Sequence, residues 1–230
     1  MKADISEELK LSLLYYIIKD CRKSRIESEF IQKAYLPNKY RLLVAGLWEL
    51  DQCEFSRALD YLTQPSLIPT FVDEILEVLL KHPKCDNSLA MAYFITVRPS
   101  LQKKSTLDAY FAILSETSVP QAFHFARQNP DHKRLFEGLV FYVHNQEAGD
   151  ARAERAVQLI SLSFTTEENA WFEECLLHGK AAKCAGAKDS VLMRRFSQGK
   201  SIVGNGTVER MKGPQIDGVN WEEIRNAAAG

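Results

Sequence analysis

One pattern limits what this chain can become. Apolar residues recur at i, i+3 and i+4 in stretches of roughly 8 to 18 residues, each closed by a short polar or proline-bearing break. No segment before residue 200 alternates with the period of two that a half-buried strand needs. A chain written this way buries its stripes helix against helix. The pattern predicts about eleven helices, joined by links short enough to favour antiparallel neighbours. The expected fold is all-α, an irregular α-helical solenoid of helix hairpins, in which each hairpin covers its apolar face with the next. No fixed 34-residue period runs along the chain, hence the irregularity.

The stretch GLWELDQCEFSRALDYLTQP, Gly46 to Pro65, shows one such hairpin. Cys53-Glu54-Phe55-Ser56-Arg57-Ala58 is like the turn of a tetratricopeptide hairpin, with Ala58 where two helices come close. Elsewhere the starts are marked by polar caps. Ser24-Arg25-Ile26-Glu27 and Thr165-Thr166-Glu167-Glu168 have the spacing of capping boxes. Pro37 and Pro120 suit helix starts, where a missing N–H costs nothing. Phe71, Val72, Ile75, Leu76, Leu79 and Leu80 form a clean inner stripe, opposite Asp73, Glu74, Glu77 and Lys81. The aromatic residues Phe71, Phe111, Phe123, Phe136 and Phe172 read as core by the same spacing.

After Gly199 the character changes. Residues 200–230 hold five of the eleven glycines and few large apolar groups. The expected division is therefore a helical domain over 1–199 and a flexible C-terminal tail over 200–230, disordered on its own. Two pieces of the tail are candidates for ordering on a partner. Ile202, Val203 and Val208 flank a hairpin signal at Gly204-Asn205-Gly206, and Val219, Trp221 and Ile224 fit a short anchor helix.

The totals exclude several classes. Lys plus Arg is 29 and Asp plus Glu is 30, a net charge of −1, without the basic excess of a duplex-binding protein. No direct DNA binding is expected. Five widely spaced cysteines fit unpaired thiols in a reducing compartment. The N-terminal MKADISEELK does not read as a secretory signal, and no stretch approaches the ~18 apolar residues of a membrane span. Membrane insertion is not expected.

Few residues are spaced for chemistry. His82 with Cys85, and Cys175 with His178, each have the spacing of half a metal site, but a structural zinc needs four ligands. Cys175 sits in an apolar stripe, where cysteine serves as a small hydrophobe, and His82 follows a helix whose last carbonyls it can serve. Gly204-Asn205-Gly206 lacks the strand, helix and third glycine of a nucleotide fingerprint. Glu167-Glu168 and Glu173-Glu174 read as dipole-complementing or solvent-facing acids. Lys103-Lys104 and Arg194-Arg195 read as solvated helix ends. No catalytic, metal or cofactor residues are expected, and the chain is read as a non-enzymatic binding scaffold.

A longer pattern then emerges. Leu36-Pro37, Gly46-Leu47-Trp48-Glu49-Leu50-Asp51, Phe55, Ala58-Leu59, Leu62 and Pro65-Ser66-Leu67 stand in an order similar to the helical domain of ELYS-like nuclear pore proteins. Ile75 to Leu80, Ala92 to Pro99, Ala109-Tyr110-Phe111, Ser118 to Phe123, Arg134 to Glu137 and Glu168 to Phe172 extend the resemblance over about Leu9 to Leu177. It implies a structural nucleoporin of the Y-shaped complex, located at the nuclear pore in the nuclear envelope and so tied to transport of protein and mRNA. Its implied partners are other Y-complex nucleoporins, a β-propeller nucleoporin and a larger scaffold nucleoporin, with the tail as one contact. The short length resembles that of the fungal form. The AT-hooks of animal members have no Arg-Gly-Arg counterpart here, so chromatin recruitment is not carried over. The competing expectation, from the hairpin alone, is a tetratricopeptide-like adaptor that grips short peptides.

Overall fold

The computed structural model describes residues 6–198 except 22, 23, 69 and 148. Those residues form twelve α-helices and no strand. The chain divides into two compact units, Met1–Ile113 and Leu114–Gly230. The first holds α1 (Glu7–Asp20), α2 (Ser24–Ala34), α3 (Asn38–Asp51), α4 (Phe55–Leu62), α5 (Val72–Lys81), α6 (Asn87–Val97) and most of α7 (Lys104–Thr117). The second holds the end of α7, then α8 (Val119–Arg127), α9 (His132–His144), α10 (Asp150–Ser161), α11 (Thr166–Leu177) and α12 (Ala187–Ser197).

In the first unit α3 and α4 pair most closely, and the quoted hairpin explains how. Gly46 faces Leu62 so tightly that a Cβ at 46 would stand 2.5 Å from Leu62 Cγ. The turn is closed by the Glu54 amide on the Glu49 carbonyl and the Cys53 amide on that of Leu50, each at 2.9 Å. That is a Schellman ending, with Cys53 in the left-handed position at φ 60° where glycine is usual. Ala58, fully buried, lies in the core with Phe55, Leu59 and Leu62. Leu76 and Leu79 of α5, with Ala90 and Tyr93 of α6, complete that core. Burying such a leucine is worth roughly 1.5–3 kcal/mol each.

Phe71 departs from the expected stripe. It is the residue before α5, held at φ 55° and 56 % exposed, so its ring misses the core that Ile75, Leu76 and Leu79 fill. The outer acids of α5 are not simply wet. Asp73 accepts from the Ser100 hydroxyl at 2.8 Å and the Leu101 amide at 3.3 Å, and Glu77 takes both Lys81 and Lys103. These contacts tie the loop after α6 back onto α5. Lys103 is thus a bridging cation.

In the second unit α9 packs on α8, α10 and α11, while α12 lies against α10 and α11. The other four aromatics of the expected core are buried, Phe111 in the first unit and Phe123, Phe136 and Phe172 in the second. Phe164, in the turn between α10 and α11, joins the last three at centroid distances of 5.1 to 5.5 Å. Thr165 and Glu168 make the full capping box: the Glu168 amide donates to Thr165 Oγ1 at 3.2 Å, and the Thr165 amide donates to Glu168 Oε2 at 2.7 Å. At α2 the Ser24 side chain lies outside the described ones, and Glu27 is engaged elsewhere, accepting from the Tyr15 hydroxyl at 2.8 Å.

Candidate functional site

The buried polar groups of the second unit hold helices together. Glu168, read from sequence as a capping-box acid that complements the helix dipole or faces water, is 1 % exposed. Its position explains this, since 168, 172, 175 and 176 share one helix face with Phe172, Cys175 and Leu176. Arg127 of α8 grips it through Nε at 2.7 Å and Nη2 at 2.6 Å. Burial alone would raise the Glu168 carboxyl. The Arg127 hydrogen bonds, the Thr165 amide and nearby positive charge outweigh it and hold the group below the ordinary carboxylate range. His132 Nε2 stands 3.1 Å from Oε1, close but out of line for a hydrogen bond.

Arg194 is likewise buried, contrary to the solvated helix end expected of it. It shares the inner face of α12 with Ala187, Ser190 and Val191. Nη1 donates to the carbonyls of Ile160 and, at 2.6 Å, Leu162; Nε donates to Asn169 Oδ1 at 3.0 Å, and the guanidinium lies 3.9 Å over the Phe164 ring. One cation thus closes the turn between α10 and α11. Arg195 forms a two-pronged pair with Glu173 at 2.9 and 2.6 Å, so Glu173 is not a free acid either.

A buried serine–histidine pair completes the set. His144 Nδ1 lies 2.8 Å from the Val140 carbonyl, which can only accept, so that nitrogen carries the proton. Nε2 then accepts from the Ser190 hydroxyl at 2.9 Å. Burial lowers the His144 pKa, so the ring is held neutral. With both residues buried and a main-chain carbonyl in place of an orienting acid, the pair joins α9 to α12.

The two sequence-spaced metal half-sites lie one in each unit. His82 packs its ring on Phe55, places Nε2 3.8 Å from Cys53 Sγ and accepts the Lys84 amide on Nδ1, so it caps α5 through its backbone N–H, which donates to the Val78 carbonyl at 3.0 Å, and not through its ring. The Cys85 thiol donates to the Asp86 carbonyl and the Cys175 thiol to that of Glu137. Among the described residues no group of three or more His, Cys, Asp and Glu side chains is placed to share an ion. A recess of about 200 Å³ between the start of α8 and α10 is polar and open, with Arg155 already donating to the Glu116 carbonyl.

What the surface offers is apolar. Leu9, Leu13, Leu14 and Ile17 of α1 are 49–58 % exposed, while the opposite face of α1 is anchored on Leu36 and Val44 through Tyr15. Tyr16 adds a hydrogen bond to Asp51, which pushes its phenol up to about 12. On the second unit Met193 and Phe196, one turn apart at the end of α12, are 54 % and 57 % exposed. Contiguous apolar exposure of this kind marks contact surfaces. The tail positions expected to bind a partner, Ile202, Val203, Val208, Val219, Trp221 and Ile224, lie outside the described residues. Sequence reasoning missed the α1 surface because periodicity shows that a helix is apolar, not which side its own chain covers.

Comparison with known proteins now decides the family. The model for ELYS, described as nuclear pore complex assembly, matches residues 1–179. The chain belongs to the ELYS family. A protein of the fission yeast Schizosaccharomyces pombe, named as the uncharacterized protein ely5, is 26% identical over 166 residues, 72% of this chain and 53% of that relative. The chain therefore spans about half the length of the curated relative it matches. Among the described residues no helix is long and apolar enough to cross a membrane.

Proposed function

We propose that this ELYS-family chain is a structural, non-catalytic component of the nuclear pore Y-complex, which works by holding other nucleoporins in place at the nuclear envelope. The observation that carries this reading is the family match over residues 1–179, more than three quarters of the chain. Two features support it: Glu168 and Arg194 are spent on fastening helices, and most of the large exposed apolar groups among the described residues lie on helices. A larger scaffold nucleoporin is the expected partner of the helical surface. The exposed Met193 and Phe196 stand just before the tail, so α12 and residues 200–230 make one candidate contact for a β-propeller nucleoporin. Ile202, Val203 and Val208 fit strand addition to that propeller, and Val219, Trp221 and Ile224 fit a groove on it.

The test is purification of the tagged chain from its own cells under mild salt, with the co-eluting proteins identified by mass spectrometry. A stoichiometric set of Y-complex nucleoporins is expected, and Trp221→Ala is expected to deplete one member while leaving the others. Recovery of soluble peptide-bearing partners without pore proteins would overturn the assignment in favour of a peptide adaptor.

A further inference from the structure

We draw no further inference here: the strongest candidate, the apolar ridge of Leu9, Leu13 and Ile17 on the outer face of α1, carries nothing because nothing in the structure shows what covers it.

Discussion

Replacing Arg127 by alanine isolates a heavily committed charge in the second unit. The substitution removes both hydrogen bonds to Glu168, the 2.7 Å bond to the Ser163 carbonyl, and the stacking of the guanidinium 4.3 Å over Phe123. Glu168 then remains, 1 % exposed, with the Thr165 amide as its remaining short hydrogen-bond donor. Breaking a buried pair by deleting one partner costs about 3–5 kcal/mol, because the surviving charge is left in a poor solvent. Arg127 itself is 31 % exposed, so water reaches its side of the pair and the lower end, about 3 kcal/mol, applies. The assay is urea unfolding followed through Trp171, which meets the His132 ring edge-on in the same unit. The midpoint should fall with the slope unchanged. The sign with pH is fixed by the direction of the Glu168 shift. Its carboxyl titrates lower when folded, so the pair's contribution is present above 4.5 and lost as pH falls through the folded value. The difference between wild type and Arg127→Ala should therefore shrink in acid. A loss below about 1 kcal/mol at pH 7, the level of an exposed pair, or a difference that grows in acid, would refute the reasoning.

Three further outcomes follow from the same geometry. Gly46→Ala should destabilise the first unit by about 1 kcal/mol or more, since crowding Leu62 outweighs the helix propensity that alanine gains; Leu62→Ala in the same chain should lessen the loss, read by thermal melting. Arg194→Met should cost roughly 3 kcal/mol by stranding the Ile160 and Leu162 carbonyls, and Arg194→Lys should not rescue it, because one ammonium cannot span both carbonyls and Asn169. His144 resists protonation when folded, so the unfolded chain takes the proton first and stability should fall as pH drops below 6.5; His144→Gln should flatten that slope in a series of urea midpoints.

Helix periodicity carried most of the fold, because each helix had an apolar side to bury against a neighbour. The polar cluster was less legible. Glu168 satisfied a capping box, and that local explanation hid its place on the same face as Phe172 and Cys175. Arg194 falls on the stripe of Ala187, Ser190 and Val191, a signal present in the sequence but masked by its charge. Phe71 matched the α5 period yet belongs to the preceding turn, where a left-handed backbone turns its ring outward. The division inside α7 had no sequence mark, since the same helix-and-break pattern runs on both sides of it.

Arg194 and Ser190 stand beyond the last residue that the ELYS family model matches, residue 179. A protein cut there would keep the whole of the family match and lose Ser190 and Arg194, which with Arg195 fasten α12 to the rest of the second unit. The Ile160 and Leu162 carbonyls and the His144 ring would each lose a buried partner at once. The stretch by which evolution recognises this chain is therefore shorter than the stretch that must fold together. Truncations drawn at the edge of the family match should expose sticky, half-closed bundles, whereas those drawn after α12 should keep the second unit whole.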